Sequence, residues 1–135
     1  MALSEQARTF LAEPRFASLA TINPDGSVQQ TVMWYSLRGD EIVMNTARGR
    51  KKDRNMLRDR RISICVEDGY RYVSISGEIT LVDEQTQTQA DILEMAVRYH
   101  GQERGDEMGR DVFGAQERIS FHLPITHAIE NGFEG

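Results

Sequence analysis

The chain has 135 residues, of which 39% are hydrophobic and 27% charged, a composition typical of a globular protein rather than a disordered or fibrous one. Its length predicts one domain over residues 1–135. The formal net charge of −5 argues against a general nucleic-acid binder, in which basic residues dominate. No apolar run approaches the ~18 to 20 residues that span a bilayer, and the N-terminal residues lack the apolar segment of a signal peptide. We therefore expect a cytoplasmic protein that contacts neither membranes nor nucleic acids.

The N-terminal residues predict a short helix followed by a β-hairpin. Ser4 is a potential N-cap for "SEQARTFLAE", in which Ala7, Phe10 and Leu11 recur at helical spacing ahead of Pro14. The β-rich runs "FASLATI" and "SVQQTVMWYSL" flank "NPDG", where Pro presets φ and Gly accepts a positive φ. We expect these two runs to pair as antiparallel strands.

A third strand and a basic helix follow the hairpin. "EIVMNT" continues the antiparallel order after the turn "RGD" at 38–40. Gly49 then opens "GRKKDRNMLRDR", a segment rich in good helix formers. This pattern predicts a loop that leads into a short helix with Arg50, Lys51 and Lys52 in its first turn.

The remaining segments predict further strands and a peripheral helix. "RISICVE" places Cys65 in an apolar run, which predicts a core position rather than a reactive thiol. "YRYVSISGEITLV" alternates apolar and polar residues around Gly77, as expected for a strand bent around a barrel. "DEQTQTQADILEMAVRYHG" has helical spacing, residues 101–116 predict a mobile loop or short helix over a site, and "RISFHLPI" and "THAIENGF" predict the last strands. Six or so antiparallel strands with short helices at the margins predict a small β-barrel.

The strongest chemical feature is the positive charge of residues 45–61, which contain both lysines of the chain. Eight basic and two acidic residues give this segment a charge of +6, so the rest of the chain carries −11. Backbone N–H groups at the start of a short helix, the positive end of the helix dipole and Arg or Lys side chains together form a phosphate cradle. Clustered charge is also common on a solvated helix face, and the residue pattern leaves both interpretations open.

Trp34 lies in the strand expected to run beside the basic segment. Alternation places Val32 and Trp34 on one face of that strand, and Met33 and Tyr35 on the other. A tryptophan at such a position is either a core aromatic or a wall against a planar ring, whose polar edge would bond the backbone amides of Val32 to Trp34.

No metal or nucleophile motif accompanies these features. His100, His122 and His127 lack the spacing of metal ligands, and phosphate-binding glycine loops, HExxH and GxSxG are absent. No pair of carboxylates stands out as an acid and base. We therefore expect no metal site, and we name no catalytic residue.

The order of residues resembles a known family along nearly the whole chain. The segments that carry the resemblance are "LATINPDGS", "TVMWYSL", "MNTARGRKKDRNMLRDRRISICVED", "YVSISGEITLV" and "LPITHAI". They are similar to the flavin and deazaflavin oxidoreductase superfamily, whose fold is the split β-barrel of pyridoxamine 5′-phosphate oxidase. The branch of closest resemblance uses the deazaflavin coenzyme F420. The resemblance implies a mainly β fold, a six-stranded antiparallel split barrel with short peripheral helices, and a homodimer with cofactor sites at the subunit interface.

The resemblance also implies a set of cofactor-binding residues. In that branch the pattern RxKxxN holds the cofactor phosphate, which corresponds to Arg50, Lys52 and Asn55. The end of the preceding strand, at Asn45 and Thr46, is implied to contact the phosphate. The implied ring-side wall comprises Val32, Met33 and Trp34, and Lys51, at the variable spacer position, is implied to attract the acidic tail of F420.

The activity implied is hydride transfer from the C5 carbon of reduced F420 to an electron-poor double bond or carbonyl-type acceptor. The protein would supply orientation and proximity, with the proton coming from water. FMN is the alternative cofactor, because it also presents a phosphate and a tricyclic ring, and a non-catalytic flavin or deazaflavin carrier is the alternative activity. The chain is shorter than pyridoxamine-phosphate oxidases and ends in "ENGFEG" without their C-terminal arginines, so pyridoxal-phosphate synthesis is not expected.

Overall fold

The computed structural model describes residues 3–133 and consists of two antiparallel sheets with helices at their margins. The strands are β1 (Ala17–Ile22), β2 (Val28–Met33), β3 (Ser36–Arg38), β4 (Glu41–Ala47), β5 (Arg61–Asp68), β6 (Arg71–Glu78), β7 (Thr80–Val82), β8 (Arg118–Pro124) and β9 (Ala128–Asn131). The helices are α1 (Glu5–Ala12), α2 (Lys51–Arg58), α3 (Gln85–His100) and α4 (Gln102–Asp111), followed by a 3₁₀ turn at Phe113–Ala115. None of the helices within 3–133 is long and apolar enough to cross a membrane.

The two sheets enclose the main hydrophobic core. One has the strand order β2-β1-β5-β6-β9 and the other β3-β4-β8-β7, and neither closes on itself. The core between them contains buried side chains from both, including Leu19, Ile64 and Ile75 from the first sheet and Ile42 and Phe121 from the second. The prediction of a mainly β, antiparallel split barrel with short peripheral helices is confirmed in outline.

Two runs that the sequence predicts as single strands each pass from one sheet to the other. "SVQQTVMWYSL" divides into β2 and β3 at Trp34 and Tyr35, and the hydroxyl of Tyr35 donates to the backbone oxygen of Leu11 at 2.8 Å in the buried corner. "YRYVSISGEITLV" divides at Ile79, whereas Gly77, the expected bend, stays within β6. Period-two alternation continues through such corners, so it marks both strands but not the change of sheet.

Cys65 is predicted to lie in the core, but the structure leaves it only partly buried. It pairs across the sheet with Ser18 and Ser74, on the face of β5 opposite to the buried Ile64 and Val66. Burial raises the pKa of its thiol, but the side chain is only partly covered. The core prediction was therefore wrong, because alternation within "ISICV" can place only every second residue inward.

Side-chain caps mark the starts of α1 and α3, and the sequence predicts the first of them. Ser4 caps α1 by accepting from the backbone N–H of Ala7, and Glu84 caps α3 by accepting from the N–H groups of Thr86 and Gln87. Of the two interpretations of 101–116, the helical one is confirmed. α4 packs so closely on α3 that a Cβ at Gly105 would lie 2.7 Å from the Val97 backbone, so only glycine fits there.

The connection from β4 to α2 is the loop leading into a short helix that the sequence predicts. After Ala47, the N–H of Arg48 donates to the backbone oxygen of Glu117 at 2.9 Å, which holds the end of β4 beside the start of β8. Gly49 then adopts a φ of +88°, a conformation that other residues rarely take. Arg50, which the sequence places in the first turn, is extended and is the N-cap residue of α2, which starts at Lys51. The first turn of α2 therefore lies beside the ends of β4 and β8.

Candidate functional site

A cleft of about 280 Å³ lies where β2, β4, β8, α2 and the 3₁₀ turn meet. One part of its lining is cationic and polar, and the other is aromatic and aliphatic. Its lining residues are Phe16, Val32, Met33, Trp34, Asn45, Thr46, Arg50, Lys52, Ile92, Phe113 and Arg118. The combination of a charged wall and an apolar wall fits a ligand that has an anionic group and a planar ring.

Three cations form the charged wall. Arg118, with 5% of its surface exposed, is the first residue of β8, Lys52 is half-buried in the first turn of α2, and Arg50 precedes that turn. None of the three forms an ion pair with a carboxylate within residues 3–133. We call Arg50, Lys52 and Arg118 the cationic wall.

The electrostatics of the cationic wall favour an anion. Burial, followed by the charge of Arg50, lowers the pKa of Arg118 to about 10, which leaves the guanidinium charged at neutral pH. Burial, followed by the charges of Arg50 and Arg118, also lowers the pKa of Lys52. Like charges that are partly removed from water repel one another, and a bound anion relieves both the repulsion and the lost hydration.

Neutral groups hold the Arg118 guanidinium in place. Its Nε donates to Oδ1 of Asn45 at 2.8 Å, and its Nη1 donates to Oε1 of Gln116 at 2.5 Å. Gln85 fixes the Arg118 backbone by accepting from its N–H at 3.0 Å and donating to its oxygen at 2.9 Å. No intramolecular acceptor within the described chain engages Nη2, so that nitrogen is available to a ligand.

The start of α2 adds backbone donors to the cationic wall. Arg50 occupies the N-cap position, but no side chain caps the helix there. The nearby carboxylate of Asp53 accepts instead from the N–H of Gly49 at 2.8 Å. Unpaired N–H groups of the first turn and the positive end of the helix dipole therefore act together with Arg50 and Lys52.

The opposite wall of the cleft is aromatic. The ring of Trp34 stacks on Tyr99 with centroids 5.2 Å apart and planes 9° from parallel, and it meets Phe113 edge-on at 6.1 Å. Phe16 stacks on Tyr99 at 5.8 Å and leaves 60% of its own surface exposed. The hydroxyl of Tyr99 bonds the backbones of Arg15 and Tyr35, which fixes the ring against which Trp34 rests. Trp34 is thus neither a fully buried core residue nor a freely exposed one.

A family model described as Pyridoxamine 5′-phosphate oxidase matches residues 3–120, a range that includes every residue lining the cleft. The chain belongs to the pyridoxamine 5′-phosphate oxidase family. This membership confirms the resemblance to the flavin and deazaflavin oxidoreductase superfamily. No match was found among curated protein sequences.

Several solved structures share the fold of this chain over nearly its whole length. The conserved hypothetical protein Rv2991 from Mycobacterium tuberculosis is 26% identical, with a TM-score of 0.82 over 99% of this chain and 88% of its own. A protein named F420 reductase is 24% identical, with a TM-score of 0.76 over 94% of this chain and 98% of its own. HutZ, the heme storage protein from Vibrio cholerae, is 16% identical, with a TM-score of 0.73 over 98% of this chain and 97% of its own. The shared fold therefore accompanies different ligands.

The structure brings together seven of the nine predicted cofactor-binding residues, which line the cleft: Val32, Met33, Trp34, Asn45, Thr46, Arg50 and Lys52. The other two, Lys51 and Asn55, are not among the lining residues. Lys51 is exposed on α2. Asn55 is buried, and its Nδ2 donates to Thr21 Oγ1 at 3.1 Å and to Asn23 Oδ1 at 3.0 Å. Asn55 thereby attaches α2 to the β1–β2 hairpin.

Asn45 and Thr46 differ in what they offer a ligand. The Asn45 side chain is fully engaged, because its Nδ2 donates to Thr88 O and Ser120 Oγ, both at 2.9 Å, and its Oδ1 accepts from Arg118. The hydroxyl of Thr46 has only a long contact of 3.5 Å to the backbone oxygen of Ala47. Thr46 therefore retains a donor for an anion, whereas Asn45 does not.

Sequence reasoning missed four lining residues, namely Phe16, Ile92, Phe113 and Arg118. Arg118 did have a signal, because it alternates with Ser120 and His122 in a strand whose other residues are apolar, and an arginine on a largely buried strand requires a partner. Phe113 follows a polar helix and Phe16 precedes a strand, so neither stands out locally.

Proposed function

We propose that the protein is an F420-dependent oxidoreductase that reduces an unsaturated or carbonyl-type small molecule. The observation that carries this proposal is the cationic wall, three positive side chains that have no carboxylate partner within 3–133, together with an aromatic wall in the same cleft. The fold shared with a protein named F420 reductase supports the choice of a deazaflavin.

The residues of the cleft fit the two ends of such a cofactor. Arg50, Lys52 and Arg118 bind the phosphate by charge-assisted hydrogen bonds, with the first turn of α2 and the Thr46 hydroxyl as further donors. Trp34 supports the ring, and the chain leaving β2 offers backbone groups to its polar edge. When bound, the reduced deazaflavin supplies a hydride.

The protein's part in the reaction is binding and orientation. The lining residues within 3–133 include no Asp, Glu, His, Cys or Tyr, the side chains that most often transfer protons. The side chains of Phe16, Ile92 and Phe113 make one side of the cleft apolar. Proximity and alignment of cofactor and acceptor are therefore the expected source of rate enhancement.

We propose that two copies of the chain form a homodimer across the outer face of the first sheet. A row of cross-strand neighbours on this face consists of Val32, Ser18, Cys65, Ser74 and Ile129. Small residues lie at its centre and exposed apolar residues at its ends, with Val32 68% and Ile129 58% exposed. Because Val32 also lines the cleft, a partner on this face would lie next to the ligand. Sedimentation at micromolar concentration should show a dimer, and a monomer at all concentrations would refute it.

Cofactor titration tests the main proposal. Purified protein is titrated separately with F420 and with FMN, and quenching of each cofactor's own fluorescence gives its dissociation constant. Micromolar or tighter binding of F420, with weaker binding of FMN, is the expected result. Tight binding of FMN without binding of F420 would show that the cofactor is FMN and would refute the deazaflavin assignment.

Turnover separates an enzyme from a carrier. Reduced F420 bound to the protein is mixed with enones and quinones in a stopped-flow instrument, and its oxidation is followed. Oxidation faster than that of free reduced F420 is expected. Tight binding without acceleration by any acceptor would favour the carrier.

A further inference from the structure

The Arg118 guanidinium is buried between two side-chain amides and has no carboxylate partner among the described residues. We propose that Asn45 and Gln116 are positioning residues, which hold Arg118 in the orientation needed to bind an anion while leaving its positive charge uncompensated. The inference rests on the proposed function in that the anion is the cofactor phosphate. It also gives Asn45 a role through Arg118, in place of direct contact with the ligand.

Asn45 has no spare donor with which to bind an anion. Both hydrogens of its Nδ2 are used, one by Thr88 O and one by Ser120 Oγ. Its Oδ1 carries partial negative charge and accepts from Arg118 Nε at 2.8 Å, so it would repel a phosphate oxygen. The effect of Asn45 on anion binding must therefore pass through Arg118.

A chain of buried polar groups fixes the orientation of the Asn45 amide. Ser120, which accepts from Asn45, itself donates to Asp91 Oδ2 at 2.7 Å. All three side chains are buried, so each has few alternative partners. The Asn45 oxygen is thereby kept directed at Arg118.

Gln116 acts from the other side of the guanidinium. It follows the 3₁₀ turn, is only partly buried and is not among the residues that line the cleft. Its backbone oxygen accepts from Gln89 Nε2 at 2.9 Å, which anchors the residue while its Oε1 accepts from Arg118 Nη1. With Nε and one Nη1 hydrogen held, the remaining donors of the planar guanidinium have fixed directions.

Neutral acceptors suit this task better than carboxylates. A carboxylate would orient Arg118 equally well, but it would also cancel the charge that attracts the ligand. An amide oxygen satisfies the guanidinium hydrogen bond and leaves a full positive charge in a poorly solvated site, where an anion is held more strongly than in water.

Double-mutant cycles test the path from Asn45 through Arg118. Inorganic pyrophosphate is the probe, and isothermal titration calorimetry measures its affinity for the full chain. Arg118→Met should weaken binding about 10- to 100-fold, and Asn45→Ala and Gln116→Ala about 3- to 10-fold each. Adding either alanine to Arg118→Met should cause no further loss. Adding either to Lys52→Met should multiply the separate losses, because Lys52 forms no hydrogen bond with either amide among the described residues. Additive losses with Arg118→Met would overturn the inference.

An isosteric charge change separates positioning from a structural role. In Gln116→Glu the acceptor stays in place but becomes anionic, so pyrophosphate affinity should fall about 10-fold while the melting temperature of the free protein is unchanged or higher. Unchanged affinity would overturn the inference. Because Gln116 is partly exposed, this variant remains informative if Asn45→Ala does not fold.

The same titrations distinguish failure of this inference from failure of the proposed function. A wild-type protein that binds pyrophosphate but neither F420 nor FMN refutes the proposed cofactor and leaves the cycles measurable. A wild-type protein that binds no pyrophosphate overturns the role of Arg118 and its two amides.

Discussion

Arg38 and Arg118 stand at opposite ends of one hydrogen-bonded network, and they are held in different ways. At the carboxylate end, Arg38 forms ion pairs with Asp91 at 2.8 Å and Glu94 at 3.1 Å. At the amide end, Arg118 is held by Asn45 and Gln116. Asp91 is joined to Asn45 through the hydroxyl of Ser120, so the two ends share a single set of buried polar groups.

The two ends differ in charge although both satisfy an arginine. Burial lowers the pKa of Arg38, but the hydrogen bonds and charges of Asp91 and Glu94 together outweigh it and raise the pKa above its ordinary value. Burial and the charge of Arg50 lower the pKa of Arg118 to about 10, and no carboxylate in the described part of the chain opposes them. Hydrogen bonding and charge compensation are thus separable. Arg38 has hydrogen bonds and a compensating negative charge, which suits a structural role. Arg118 has hydrogen bonds but no compensating charge among the described residues, which suits an anion site.

The largest expected effect is loss of stability at the carboxylate end. Asp91→Ala removes the acceptor of Arg38, Gln87 and Ser120 from a buried position, so we expect the free energy of unfolding to fall by about 3 to 5 kcal/mol. Urea denaturation followed by circular dichroism measures it. The matched control is Glu94→Ala, which removes the more exposed partner of Arg38 and should cost less than about 1 kcal/mol. Equal losses in the two variants would contradict the assignment of Asp91 as the buried anchor.

The next effect is loss of affinity at the cationic wall. Lys52→Ala should weaken F420 binding by about 1.5 to 3 kcal/mol, because it removes one charge-assisted hydrogen bond to the phosphate. Fluorescence titration gives the change. Arg60→Ala removes a positive charge from the same segment but from an exposed side chain outside the cleft, and should cost less than about 0.5 kcal/mol. Similar losses in both variants would show that the positive charge of the whole segment, and not a direct contact of Lys52, attracts the cofactor.

The smallest effect is a dependence on pH that follows from the lowered pKa of Lys52. Burial and the charges of Arg50 and Arg118 make Lys52 lose its proton below the usual 10.5, so anion affinity should fall as pH rises towards that value. Sulfate, whose charge is constant in this range, should bind about two- to threefold more weakly near pH ~9.5 than near pH ~7. Lys52→Arg should show a smaller fall, because only Arg118, with its pKa of about 10, then loses charge in this range. Thermal shift against sulfate concentration measures both.

The stability of the free protein should change in the opposite direction over this pH range. The unfolded chain binds more protons than the folded one between the lowered pKa of Lys52 and 10.5, so this residue's contribution to the free energy of unfolding rises with pH there. For the binding experiment, a sulfate affinity of the wild-type protein that does not change with pH would contradict the placement of Lys52 in the cationic wall.

Local sequence patterns predicted most of the secondary-structure elements and the position of the basic segment at the start of α2. The "NPDG" turn, the Ser4 cap and the segment from Gly49 into α2 all appear as expected, since each depends on residues within a few positions of one another. The changes of sheet at Trp34 and Ile79 were not predictable, because alternation alone does not specify which sheet a strand joins.

The sequence by itself determined the mainly β fold, the family and the concentration of positive charge at residues 45–61. Only the tertiary structure decided which of those cations line the cleft and which residues from elsewhere join them. The β4–β8 register pairs Ala47 with Arg118 and Asn45 with Ser120, and so brings in an arginine distant in sequence and uses every donor of Asn45 internally. The physical reason is that a side chain has few hydrogen-bonding groups, and long-range pairing decides whether its partner is the protein or a ligand.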